Sequence, residues 1–459
     1  MYKLSPLKNT SLTFIFFLTL FPPLIYALEE PNYSLSMYAV QSDTGDVLID
    51  TNSHLSLSPA SCMKIITTAA ALHILGPKHH FETHLAYDGL IDENKTLHGN
   101  LYILGRGDPC LGFNRILGSL SMEELLDTWV AAIQNLGIQK IEGKIIGDAS
   151  HWESALAVPS WTLEDVGNYY GAGASALSFH ENFYSLFFKP GPNEGDPTSI
   201  LRTEPRLPNL IFQNEIKTGP EGSGDRACIY GSELSSIQSL KGTVPANASE
   251  FSIKGAIPDP ATFCANALTL QIQKTSITIR HQDFLKKNLR HTFHTTYSPA
   301  VEEIVYQTNQ KSINLYAEHL LKKMGEMAFQ EGSTKAGTKA TTDFLRSQNI
   351  NLNGFNMADG SGLSRKNLIT TKQLVSVLLK MKKYPLYPIF LTSLPEKPEK
   401  GHNIRAKSGS MSLIRGCAGY IDNIAFAILI NQCLDDQVAK EKIQAFLDDL
   451  TQISQKQDK

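Results

Sequence analysis

A serine hydroxyl is a poor nucleophile until a base takes its proton. Ser61-Cys62-Met63-Lys64 sets a serine and a lysine three residues apart. They stand at the start of an apolar run, 61–75, that lacks internal Gly or Pro and reads as a buried helix. Positions i and i+3 share a helix face, so the Lys64 amine can lie beside the Ser61 hydroxyl. Partial burial and a second cation would depress the Lys64 pKa into the range of a general base. The helix N-terminus favours negative charge developing at Ser61. S-x-x-K alone arises often by chance, and its bland reading is an N-cap serine with a surface lysine. Two later elements change that weight. Ser312-Ile313-Asn314 opens an amphipathic helix over 313–329, and Lys407-Ser408-Gly409-Ser410 precedes a strand over 416–421. Ser312 can relay a proton between Lys64 and a leaving amine. Asn314 can hydrogen-bond a substrate amide. Lys407 supplies a fixed cation for a substrate carboxylate and depresses the Lys64 pKa, and Ser408 donates to that carboxylate. Gly409 lets a substrate backbone lie close to the strand. The backbone N–H groups of Ser61 and Ser410 can form an oxyanion hole.

S-x-x-K, S-x-N and K-[ST]-G follow one another in the order found in penicillin-recognising active-site serine enzymes. A fourth element is Asp359-Gly360-Ser361-Gly362-Leu363-Ser364-Arg365, whose bland reading is a turn with a helix cap. With Pro59-Ala60-Ser61, Leu75-Gly76-Pro77, Gly107-Asp108-Pro109, Gly143-Lys144-Ile145, Ala174-Ser175-Ala176-Leu177, Ile257-Pro258-Asp259-Pro260 and Ala406-Lys407-Ser408-Gly409-Ser410, the chain resembles the DD-carboxypeptidase/DD-endopeptidases of the penicillin-binding protein 4 type, from about residue 35 to about residue 432. The resemblance implies an α/β (α+β) transpeptidase-like domain, as in serine β-lactamases, with a large β-rich insertion between S-x-x-K and S-x-N that forms one or two extra domains. It implies hydrolysis of peptidoglycan stem peptides or cross-links through a Ser61 acyl-enzyme, acylation by β-lactams, and no cofactor or metal. It also implies a subsite for the diaminopimelate side chain of the substrate. Its acidic residue lies in a Trp-Pro-x-x-Asp-like segment matched by Trp161-Thr162-Leu163-Glu164-Asp165, so Asp165 is the candidate and Glu164 its rival. Tyr170, Arg365, Ser410, Met411 and Ser412 complete that subsite. The alternative for Asp165 is an ordinary solvated carboxylate. The chain departs from the pattern in having K-S-G for K-T-G and Cys62-Met63 inside S-x-x-K. The 394–405 segment looks shorter than usual and lacks a Gly-x-Asp-Gly-like stretch.

The elements that must position these residues are read from period and punctuation. A β-hairpin is expected over 35–50, and helices over 121–136, 258–274, 335–349, 371–383 and 437–452. Residues 426–431 form a strongly apolar strand. The ends of the chain read as mixed α/β and the middle as β-rich, which suggests an insertion within a parent domain. The expected division is 1–27 as a signal peptide, 28–85 with 283–459 as the catalytic domain, and 86–282 as the insertion, with a nested part near 168–233. Lys3 and Lys8, the apolar run 12–25 and Ala27 have the order of a secretory signal, broken by Pro22 and Pro23. Cleavage there leaves no transmembrane span, because no later stretch approaches ~20 apolar residues. The expected location is therefore the bacterial periplasm.

The chain has 459 residues, 42% hydrophobic and 19% charged, with a formal net charge of −3, which fits roughly two to four folded domains and excludes a disordered chain. So small a charge argues against a nucleic-acid partner. Six cysteines without a C-x-x-C support neither a metal site nor a disulfide scaffold, although Cys228 with Cys264 is a candidate pair. None of the 13 His sits in a nucleophile elbow, and His-Glu-x-x-His is absent. A β-lactamase or esterase on the same fold and a catalytically silent peptidoglycan-binding protein are the alternatives. The insertion and the 359–365 element argue against the first, and the intact motif set argues against the second. The sequence leaves a homodimer open.

Overall fold

The computed structural model describes residues 32–285, 289–399 and 401–457. The expected signal segment, 1–27, lies outside them. No helix of the described residues is long and apolar enough to cross a membrane.

The main sheet has six strands: β1 (Ser34–Gln41), β2 (Val47–Thr51), β3 (Glu396–Glu399), β4 (His402–Met411), β5 (Ile414–Ile421) and β6 (Ile424–Asn431), in the order β3-β4-β5-β6-β1-β2. All neighbours are antiparallel. Every residue of β6 is buried, because both faces of the sheet are covered. Ala425, Ala427 and Leu429 pack toward the helix Thr371–Lys382, in one core with helix α1 (Met63–Ile74). Ile424, Phe426, Ile428 and Ile430 pack toward Phe446, Leu447 and Leu450 of helix α3 (Asp436–Gln457). Alternation with period two thus feeds two cores from one strand.

Helix α2 (Asn314–Phe329) is buried from Leu315 to Gly325, on all sides rather than along one stripe. A helix apolar or satisfied all round belongs in the middle of a structure, and α2 lies against α1 on one side and the chain's β-rich middle on the other. Groups on the middle segment grip it. His319 Nδ1 meets the Gly107 carbonyl at 2.7 Å and its Nε2 meets Ser178 Oγ at 2.8 Å. Lys322 Nζ donates to the Ala155 and Ala174 carbonyls at 2.8 and 2.9 Å. Burial holds His319 neutral, with its pKa lowered to about 3. Tyr316 donates to Glu181, which Arg115 also pairs.

The middle segment is built from small sheets. Glu82–Tyr87 pairs with Leu101–Gly105 on one side and His291–Tyr297 on the other. Further along, Phe183–Lys189 lies between Ser199–Glu204 and Phe251–Ala256, beside a second sheet centred on Ile237–Pro245. The helices Met122–Asn135 and Pro260–Ile272 pack over the first of these sheets, capped at Ser121 and Asp259. Among the described residues, three α-helices have no counterpart in the sequence reading: Leu163–Val166, Val301–Gln310 and Tyr387–Ser393. The C-terminal helix runs from 436 to 457 rather than 437 to 452.

The candidate Cys228–Cys264 bridge is corrected: all six cysteines are free thiols. Cys264 is packed in the core between the two middle helices, whereas Cys228 sits in the strand Arg226–Tyr230 with its thiol facing the Glu164 carbonyl.

Candidate active site

Residues 60–62 form one 3-10 turn and α1 starts only at Met63. Ala60 takes φ +46°, a left-handed conformation rare for a residue with a side chain. Its carbonyl lies so close to Gly362 that a Cβ there would overlap it. The turn bearing Ser61 and the 359–364 turn therefore touch backbone to backbone, and only glycine fits at the contact. A Cβ on Gly409 would likewise overlap the Pro59 carbonyl, which brings β4 equally close to Ser61.

Lys64 is fully buried. Its Nζ donates to Ser61 Oγ at 3.0 Å, to Asn314 Oδ1 at 2.6 Å and to the Ser361 carbonyl at 2.7 Å. An ammonium has three N–H donors, and each has an acceptor. Burial first, then the charge of Lys407, lowers the Lys64 pKa to about 7, with Asp359 and Glu318 opposing. Burial also lowers Lys407, whose Nζ donates to the Ser408 carbonyl at 2.8 Å and whose own carbonyl accepts the Cys62 thiol at 3.3 Å. Cys62 is held as a thiol: burial and Cys417 push its pKa up to about 12. A lysine whose amine is neutral near pH 7 is available to take the serine proton as the hydroxyl oxygen attacks a carbonyl.

The model of the D-Ala-D-Ala carboxypeptidase 3 (S13) family matches residues 25–453. The chain belongs to this family. It is thus a serine-type peptidase, and among its relatives is a D-alanyl-D-alanine carboxypeptidase of an Actinomadura species, 26% identical over 85% of this chain and 76% of the relative. Another is the D-alanyl-D-alanine carboxypeptidase DacB of Haemophilus influenzae, 24% identical over 87% and 85% of the two chains. The crystal structure of penicillin-binding protein 4 from Haemophilus influenzae superposes with a TM-score of 0.74 at 22% identity, over 88% of this chain and 91% of that one, and so shares its fold.

Within this S13 member the remaining candidates fall in different places. Ser312 has φ +56° in the link into α2, and its hydroxyl makes no hydrogen bond among the described residues. Among the described residues, β4 has no strand on its outer side beyond Arg405, because β3 pairs only with residues 402–405. Ser408 and Ser410 are exposed along β4, with Met411 half-buried and Ser412 exposed at its tip. An open strand edge at this position can take an extended peptide as an added strand. Within 394–405, Glu396–Glu399 of β3 pairs antiparallel with His402–Arg405 of β4.

The 160–171 segment forms the opposite wall. Ser160 and Ser364 share a hydrogen bond at 2.6 Å, and Trp161 Nε1 donates to Asp359 Oδ2 at 2.8 Å. The Tyr170 carbonyl accepts from Asn314 Nδ2 at 2.8 Å, so Asn314 joins this wall to Lys64. Asp165 closes a capping box: its Oδ2 accepts from Thr162 N at 3.1 Å and Thr162 Oγ1 at 2.7 Å. Burial and the nearby Asp165 raise the Tyr170 phenol, which donates to the Glu164 carbonyl. Arg365 is exposed just past the 359–364 turn.

Sequence reasoning missed two participants. The Ser361 carbonyl is a Lys64 acceptor, and no side-chain motif announces a carbonyl. Glu318 lies on α2 one turn after Asn314 and reaches the same turn, but it shares the helix with His319, Lys322, Lys323 and Glu326, so nothing in the sequence singles it out. A carboxylate there demands buried partners.

Proposed function

We propose that this chain is a D-Ala-D-Ala carboxypeptidase and DD-endopeptidase of the bacterial periplasm, acting on peptidoglycan stem peptides and their cross-links. Ser61 Oγ attacks the carbonyl of the penultimate D-alanine as its proton passes to neutral Lys64. The N–H groups of Ser61 and Ser410 hold the oxyanion. Ser312, with Lys407 nearby, passes a proton to the departing amine, and the C–N bond breaks. Water then hydrolyses the ester, returning a proton through the same groups. The departing group is D-alanine in the carboxypeptidase reaction and a diaminopimelate amine in the endopeptidase reaction. Lys407 and Ser408 receive the terminal carboxylate, and Asn314 the substrate amide. Asp165, with Tyr170, Arg365, Met411 and Ser412 around it, receives the diaminopimelate side chain.

The observation that carries this reading is the Lys64 amine, fully buried, 3.0 Å from Ser61 Oγ and with its pKa lowered to about 7. A β-lactam presents a strained amide in place of the D-Ala-D-Ala bond, so a labelled penicillin tests it. Intact mass is expected to show one stable adduct, absent from folded Ser61→Ala. Rapid turnover would make the chain a β-lactamase, and no adduct on the wild type would make it a binding protein.

A further inference from the structure

The geometry points to Glu318 as a positioning residue that sets the Lys64 amine by gripping the 359–362 turn. The inference rests on Lys64 acting as the base for Ser61. Lys64 has three acceptors, of which two are side-chain oxygens on Ser61 and Asn314; the third, the Ser361 carbonyl, is backbone and moves only with its turn. Glu318 is 1% exposed. Its Oε1 accepts from Ser361 N at 2.8 Å, and both its oxygens lie 3.1 Å from Gly360 N. The peptide plane that receives the Lys64 proton is thus bounded by a residue whose N–H is fixed by Glu318. Gly362 is placed on the far side, where its N–H goes to Asp359 Oδ1 at 2.8 Å. From α1, Thr67 Oγ1 holds the Gly360 carbonyl at 2.6 Å. Glu318 is the only one of these groups that stands on the same helix as Asn314, one turn away. It therefore ties two of the three Lys64 acceptors to one rigid element.

The same carboxylate acts on Lys64 by its charge. The charged and titratable groups facing the pair are Asp359 in the turn, Lys407 on β4, Cys62 ahead of α1, and Lys322 one turn further along α2. Burial and then Asp359 raise the Glu318 carboxyl, and its N–H partners oppose this by favouring the ionised form. While ionised, Glu318 raises the Lys64 pKa against burial and Lys407. Removing the charge must lower the pH at which Lys64 becomes neutral.

The test is the rate of Ser61 acylation by a labelled penicillin as a function of pH, in wild type, Glu318→Gln and Glu318→Asp, each first shown to be folded by circular dichroism. Glu318→Gln is expected to move the acidic limb to lower pH and to lower the plateau about 10- to 100-fold, the scale of an ångström-sized misplacement. Glu318→Asp keeps the charge but falls short of the turn. It is expected to keep the limb in place and still lose plateau rate, and it decides the matter if the Gln variant does not fold. A folded variant with the wild-type plateau and limb overturns the inference, because a purely structural carboxylate would change the melting temperature alone. Failure of the function reading is separate: it would appear as a wild type that forms no Ser61 adduct, or as a folded Lys64→Ala that still acylates.

Discussion

The two walls of the cleft are built on opposite principles. On the catalytic side, Lys64, Glu318, Asp359, Ser361, Ser364 and Asn367 are all buried, and the 359–364 turn is bonded at nearly every polar atom. Asp359 alone accepts from Gly362 N, Ser364 N, Asn367 Nδ2 and Trp161 Nε1, at 2.6 to 2.8 Å. On the other side, the 160–171 segment turns Leu163, Tyr169 and Tyr170 to solvent, 74%, 52% and 37% exposed. Among the described residues it touches the Lys64 side through three hydrogen bonds, at Ser160, at Trp161 and at the Tyr170 carbonyl, which accepts from Asn314. A proton exchange needs groups fixed to fractions of an ångström, which buried and fully satisfied networks provide. Recognition of a large, variable peptide tolerates an exposed wall whose side chains adapt.

Substitutions on each wall should therefore fail in different ways. Lys64→Ala gives the largest effect, a loss of ~10²–10⁴-fold in acylation rate with the fold retained, measured by intact mass against time. Next comes Asp359→Ala, which strands four donors. It is expected to destabilise the chain by ~3–5 kcal/mol in urea melts, since each buried donor left unmade costs ~1–3 kcal/mol and some recover water. Asp165→Asn, on the adaptable wall, should leave both the melt and penicillin acylation unchanged. It should raise KM about tenfold for peptides carrying an amine side chain and leave neutral peptides alone, the scale of one charge-assisted hydrogen bond. An Asp165→Asn variant that instead loses penicillin acylation would erase the distinction between the walls.

The sequence revealed the rigid wall's chemistry more readily than its support. Ser61, Lys64, Asn314, Lys407 and Gly409 could be named because their types and order are those of a reaction, and the structure brings them together. The helix at 121–136 and the strand at 426–431 were legible from capping and hydrophobic continuity, and both stand within two residues of those bounds. What holds Lys64 was not legible. The Ser361 carbonyl is a backbone atom, and Glu318 reads as one acid in a charged helix until burial makes it an acceptor for two N–H groups. The helix Val301–Gln310 was missed because it starts at Ala300 without a Ser, Thr, Asp or Asn cap, although Val301, Ile304, Val305 and Thr308 recur at helical spacing on its buried face. Cys228 and Cys264 were paired by parity alone, and parity carries no geometry.

The central claim is that one buried lysine, with its pKa lowered to about 7, is the base that activates Ser61. The most direct measurement is the second-order rate of Ser61 acylation by a penicillin from about pH 5 to about pH 9. The lysine is active only when neutral, so the rate must fall as pH drops through its pKa. The prediction is a single ionisation near pH 7, with the rate losing about tenfold per pH unit below it, and no such limb in the residual reaction of Lys64→Ala. A rate independent of pH across that range, or the same limb persisting in folded Lys64→Ala, would contradict it.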